Sequence, residues 1–344
     1  MMNTRYHQIA LFKKIKPSFF VSILCLFSFA TTAASPTHTE QNDQVLINSI
    51  YQRLNTQPAL SIPERIEQIS AQFLGKPYLL GALGEGPHGD YDQWPLYRTD
   101  AFDCQTYVET VLALALANHL PHFQQCLNHL RYKNGFISYT HRNHFTCLDW
   151  NRNNQKHILK DITRTIRDRN HHLVIRYARA VIDKPSWYRH QTMDAIRLNH
   201  ADQKERASRL HSLQQEALHV SKKTSIIAYI PFTALFNSIG QANTYLFDQI
   251  PNAAIVEIVR PNWDLSKEIG THQNISHLGF AFWKKGSLIF REASSVYGRV
   301  VDVPLIDYLR DAMKHPTIKG INLQIMRPHP IGTPCLSPPS GFIA

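Results

Sequence analysis

The chemistry-bearing residues with the clearest pattern are a cysteine, a histidine and a carboxylate spread over the chain. Cys104 follows Asp103, a good helix N-cap residue, and precedes an apolar run in which Val108, Val111, Leu112 and Ala115 recur at helical spacing. A thiol in the first turn of a helix feels the positive end of the dipole and the orphan N–H groups there. Both favour the thiolate, the form that attacks carbonyl carbon. Composition alone allows the opposite assignment, a small buried cysteine closing a core helix.

A thiol nucleophile needs a base within hydrogen-bond reach and a third group to orient that base. The stretch Ile275–Trp283, then Lys284-Lys-Gly286, then Ser287–Ala293 predicts a β-hairpin. His277 falls on its first arm and Glu292 on its second. Their separation is odd, so an even-length loop pairs them directly or diagonally across one face. A carboxylate beside an imidazole fixes its tautomer and stabilises its charged form.

The elements that must position these groups follow from periodicity. Val45 to Leu54 predicts a short helix after a polar, unstructured stretch over 35–44. Ser61-Ile-Pro-Glu64 is a capping-box signature opening a second helix that ends before Gly75. A glycine-dense loop, Tyr78 to Pro87, then leads to the Cys104 helix, with backbone suited to close approach of a ligand. It has neither dinucleotide nor P-loop spacing. Phe136 to Asn154 is crowded with amide, guanidinium, imidazole and indole groups, which bind sugars and peptides. Residues 155–222 are rich in Arg, Lys, His and Gln and predict a solvated helical insertion. Ser225–Ile230, Ala254–Val259 and Val300–Val303 predict further strands. Beyond Arg327 the proline-containing tail is expected outside the core.

The chain of 344 residues is 43% hydrophobic and 18% charged, as expected for a packed globular protein. Arg5, Lys13, Lys14 and Lys16 precede an apolar run from Phe19 to Ala30 and then small residues, the pattern of a secretory signal peptide over 1–34. Removing it lowers the formal net charge from +11 to +7. A basic chain outside the cytoplasm meets anionic envelope polymers more often than nucleic acid, and no nucleic-acid motif is present. The run is short for a membrane span, so no stable anchor is expected after cleavage. The 19 histidines are scattered without zinc-site spacing, so no metal and no cofactor is expected. Four cysteines would remain after cleavage, too few for a disulfide framework. Cys126 and Cys147 are a candidate pair, subject to their Cα separation, and Cys335 has no assigned partner.

Gly75-Lys-Pro-Tyr78, Phe102–Glu109 and Ile275-Ser-His-Leu-Gly279 resemble the NlpC-type papain-like hydrolases of bacterial cell walls. The closer resemblance is to the N-acetylmuramoyl-L-alanine amidase-like branch. It extends through Arg142–Asn154, Asp161–Thr163, Ile258–Trp263, Arg291–Ser295 and Ile318–Asn322, and covers residues 62 to 327 in order. The resemblance implies an α+β papain-like fold, with the nucleophile opening a helix packed on an antiparallel sheet, and a Cys104–His277 pair. It implies a domain over 61–328 that includes the 155–222 insertion, between a 35–60 linker with a short helix and a 329–344 tail. It also implies hydrolysis of the amide between muramic acid and L-alanine, in anhydro-muropeptides or other peptidoglycan fragments, in the periplasm or outside the cell. The branch usually carries histidine where this chain has Glu292.

On that footing, Tyr78 is expected to donate to the oxyanion beside N–H groups at the helix start, where Asp103 sits. Asn143, Asp149 and Trp150 are expected to hold sugar or peptide. The rival expectations are a stem-peptide endopeptidase, a non-catalytic muropeptide-binding protein, and a secreted toxin with the same chemistry.

Overall fold

The computed structural model describes residues 39–57, 59–333 and 335; the predicted signal segment lies outside them. Eight strands form one sheet. They are β1 (Leu159–Asp161), β2 (Arg176–Ile182), β3 (Lys223–Pro231), β4 (Ala254–Leu265), β5 (Thr271–Lys284), β6 (Ser287–Ser294), β7 (Arg299–Pro304) and β8 (Gly320–Met326). The order is β2-β3-β8-β4-β5-β6-β7, and every strand pairing among the described residues is antiparallel. β3 and β1 share one side of β8, β3 at its start and β1 at its end.

The helices are α1 (Glu40–Asn55), α2 (Ile62–Ala71), α3 (Cys104–Leu116), α4 (Leu120–Arg131), α6 (Lys184–Arg189), α7 (Gln203–Glu216) and α10 (Leu305–Ala312), with four-residue turns α5 (Asn151–Asn154), α8 (Phe232–Leu235) and α9 (Thr244–Phe247). α3 is apolar on every side and is buried on every side, as such a helix must be. It packs between α2, α4 and the face of β5 and β6 that carries Leu278, Phe280 and Phe282. α2 opens with the expected capping box: Glu64 accepts from the Ser61 N–H at 2.8 Å. The two-residue turn Lys285-Gly286 joins β5 to β6, with both residues at positive φ, the geometry that matches strand twist.

Three expectations need correction. The 155–222 segment is not simply helical. β1 and β2 lie within it, and β2 is an edge strand that folds back over β4 and β5. Its Ala178, Ala180 and Ile182 point into a second core with Ile227, Val259 and Ile275, while Arg176 and Arg179 are exposed. Only α7 is the exposed, charged helix expected, with Leu213 its one buried residue. The stretch before Val45 is ordered from Thr39: α1 starts at Glu40, and the buried Asp43 carboxylate accepts from the Thr99 N–H and hydroxyl. Finally, Cys126 bridges to Cys335, not to Cys147, with Cα atoms 5.2 Å apart. This bond carries the tail back into the core, where Cys335 is buried. Cys147 is buried elsewhere as a free thiol.

Candidate functional site

Cys104 is the first residue of α3. Asp103 caps the helix, its Oδ1 accepting from the Thr106 N–H at 2.7 Å while the Thr106 hydroxyl accepts from the Asp103 N–H at 3.0 Å. The other carboxylate oxygen, Oδ2, accepts from the Gly81 N–H at 2.9 Å. One side chain thus fixes the helix start and the preceding loop together. Tyr78 arrives beside them through backbone pairing: its segment bonds to Phe102 on one side and to Gly298 and Val300 at the start of β7 on the other. Gln105 ties the next segment to the helix, donating to Asn143 O at 3.3 Å and accepting from the Thr146 hydroxyl at 2.9 Å.

His277 lies on β5 and Glu292 on β6. Arg291 sits opposite Phe280 on the α3 side of the hairpin, so the next residue, Glu292, turns to the face that carries His277. The Glu292 Oε2 and His277 Nε2 form an ion pair, with side chains only 2% and 12% exposed. The rings of Phe290 and Tyr308 stand 5.9 and 6.3 Å from the imidazole and wall it from water. Burial opposes charge on this ring. The Glu292 carboxylate and a hydrogen bond with Cys104 outweigh it and hold His277 well above the usual 6.5. Because Nε2 faces Glu292, Nδ1 is the nitrogen left to face the sulfur. Cys104 itself is partly exposed.

The structure therefore brings Cys104, His277 and Glu292 together and sets Tyr78 and Asp103 around the helix start. It does not bring Asn143 and Trp150 to an open surface. Asn143 is 3% exposed and donates to Leu130 O at 3.1 Å, and Trp150 is fully buried in the main core. Neither offers a face to a ligand; they hold the segment in place. Asp149 is partly exposed and paired with Lys184 at 2.6 Å.

Sequence reasoning missed a buried charge cluster next to the helix start. Arg142 pairs with Glu85 and with Asp92, the latter at 2.8 Å, and Asp92 also pairs with Arg197. Arg197 comes from the 155–222 insertion and donates to Gly81 O at 2.7 Å. The insertion thereby pins the same loop that Asp103 grips from the other side. The loop's glycines serve this packing. A Cβ on Gly84 would lie 2.6 Å from both Asp92 Oδ1 and Trp94 O, so the close approach is to the loop's own return arm rather than to a ligand. Burial raises Glu85 to about 6, with Arg142 partly offsetting it.

His122, Cys126 and Cys335 come close enough to suggest metal ligands, but the two sulfurs are joined and offer no thiolate. No helix among the described residues is long and apolar enough to cross a membrane.

A thiol at a helix start, facing an imidazole backed by a carboxylate on an antiparallel hairpin, defines an α+β protein with the arrangement of a nucleophile–base site. The profile of the AmiA-like family, N-acetylmuramoyl-L-alanine amidase-like, matches residues 68–318, and the chain belongs to that family. A solved protein from Legionella pneumophila strain Philadelphia 1 is 54% identical, with 85% of this chain and 97% of that one covered and a TM-score of 0.82. An N-acetylmuramoyl-L-alanine amidase from Bacteroides uniformis shares the fold at 22% identity, with 78% of this chain and 99% of that one covered and a TM-score of 0.55. No curated protein matches.

Proposed function

We infer that this chain is an exported, papain-like cysteine hydrolase that cleaves the amide between muramic acid and L-alanine in muropeptides. The carrying observation is the hydrogen bond between Cys104, at the start of α3, and a His277 kept charged by Glu292. Membership of an amidase-like family supports the reaction class. The Bacteroides uniformis amidase supports the choice of bond, and the sequence pattern over 1–34 supports export.

In this reading the reaction has two steps. The Cys104 thiolate attacks the lactyl carbonyl carbon. The developing oxyanion meets N–H groups of the first turn of α3, including that of Cys104, with the Tyr78 hydroxyl as a further donor. The His277 imidazolium gives its proton to the departing L-alanine nitrogen, leaving a thioester and a free amine. His277, now neutral, takes a proton from water, whose oxygen attacks the thioester and releases the lactyl carboxylate and the thiolate. Glu292 holds the ring orientation and stabilises its charge through both steps.

Mass spectrometry of muropeptides and anhydro-muropeptides treated with wild type and Cys104→Ala tests this reading. It expects a free lactyl carboxylate and a free stem peptide from wild type alone. Cleavage within the stem peptide, with the muramoyl–alanine bond intact, would make the chain an endopeptidase. Binding without turnover would make it a muropeptide-binding protein.

A further inference from the structure

β2 and β3 form a ribbon whose inner face closes the second core and whose outer face is open to solvent. Side chains alternate between the two faces of a strand. The outer face of β2 therefore carries Tyr177, Arg179 and Val181, and that of β3 carries Thr224 and Ile226. Arg179 stands opposite Ile226, and Val181 opposite Thr224. Tyr177 is 54%, Val181 49% and Ile226 50% exposed. Neither strand holds Cys104, His277 or Glu292.

Charge on and around the ribbon has one sign. Neither strand contains a carboxylate. Arg152 donates to Thr224 O at 2.9 Å, and the Arg164 guanidinium stands 5.3 Å from the centroid of the Tyr177 ring. These two are exposed, as are Arg176, Arg179 and Lys223 on the strands. None of the five forms an ion pair among the described residues. Asp183, just past β2, is taken by Lys222 at 2.7 Å.

Cations on an end strand guard it against pairing with another chain, which accounts for Arg176 and Arg179. It does not account for three large apolar side chains held half-exposed on the same ribbon. Apolar groups rimmed by cations suit a partner that is anionic at its surface and apolar just beneath. A second copy of this chain fits poorly. A two-fold contact would set Arg179, at the centre of the face, against its own copy with no carboxylate to pair.

We propose that the outer face of the β2–β3 ribbon docks reversibly on an anionic phospholipid bilayer. Val181, Ile226 and the Tyr177 ring enter the headgroup layer, where aromatic rings with a polar tip are favoured. The arginines reach lipid phosphates, whose oxygens match the guanidinium fork. Such contact is shallow and salt-sensitive, and it needs no membrane-spanning helix. It does not depend on the reaction at Cys104.

The test is cosedimentation of the full chain with phosphatidylcholine vesicles, with and without phosphatidylglycerol, over a salt series. Vesicles containing phosphatidylglycerol should bind at least about tenfold more tightly, and salt should weaken that binding. Arg176→Gln with Arg179→Gln should lower the affinity about tenfold or more. Val181→Thr with Ile226→Thr keeps β-branched residues at exposed positions, and should lower it about threefold or more. Every variant has the same N-terminus, so differences among them report the ribbon and not residues 1–34. The lipid and salt dependence of wild type needs no variant to fold. Equal affinity for both vesicles, no binding to either, or full affinity in either double variant would overturn the proposal. So would binding to soluble polyphosphate that matches binding to vesicles. A dimer in sedimentation velocity that Val181→Thr with Ile226→Thr dissolves would give the face to a second copy instead.

Discussion

The carboxylate of Glu292 meets the imidazole of His277 across a single hairpin, so the turn at Lys285-Gly286 sets the register of the site as well as of the sheet. The carboxylate against the ring raises the pKa of His277. In the proposed reaction the active pair is thiolate with imidazolium, so activity should be lost on the alkaline side as His277 loses its proton, at a pH well above 6.5. Glu292→Gln removes the charge and keeps the shape. The alkaline limb of kcat/KM should move down by about one unit or more, and activity at pH 8 should fall about tenfold or more. The same raised pKa adds stability that is complete below 6.5 and disappears as pH rises through the folded value. An unmoved alkaline limb in Glu292→Gln would show that the carboxylate does not tune the ring.

Asp103 has two separable tasks. Asp103→Ala removes the helix cap and the bond to Gly81, and should lower stability by about 2–3 kcal/mol in urea titrations. Asp103→Asn retains an oxygen for the Thr106 N–H but turns an NH2 toward the Gly81 N–H. Its stability should suffer less than that of the alanine variant, while its turnover falls. Equal losses of stability in both variants would show that the Gly81 bond, not the cap, dominates.

Asp92 stands between two guanidinium groups with 1% of its side chain exposed. Asp92→Asn leaves Arg142 and Arg197 facing each other with less compensation and should cost about 3–5 kcal/mol. Limited proteolysis should then cut between residues 81 and 98, because that loop loses its anchor. Protection equal to wild type would contradict the pinning role given to Arg197.

The Cys126–Cys335 bond closes a loop over 209 residues of separation. Mutating both cysteines to alanine should cost about 2–5 kcal/mol. Peptide mapping without reductant should recover the 126–335 pair and leave Cys104 and Cys147 to alkylation. Cys104 should react first near neutral pH, since burial encloses Cys147 and pushes its thiol pKa up. Recovery of a 126–147 pair would refute the pairing.

Much of this site was legible in one dimension because its parts are local signals. The N-cap before Cys104, the helical spacing after it, and the parity of His277 and Glu292 on a hairpin each follow from short-range geometry. β2 was hidden because its inward residues are chiefly alanines set among arginines, a composition typical of a solvated helix. The Glu85–Arg142–Asp92–Arg197 cluster was hidden because its members are up to 112 residues apart, from 85 to 197, and meet only after the insertion folds onto the loop. The same limit applies to Cys335, whose partner is set by where the tail returns. Trp150 and Asn143 show the converse error: groups suited to binding a sugar were spent on packing.

The most direct measurement of the central claim is acid-quenched mass spectrometry of the enzyme during turnover of an N-acetylmuramoyl peptide. The account predicts an acyl adduct on Cys104 with the mass of the whole N-acetylmuramoyl group and no peptide. An adduct of peptide mass on Cys104, or product release with Cys104→Ala at the wild-type rate, would contradict it.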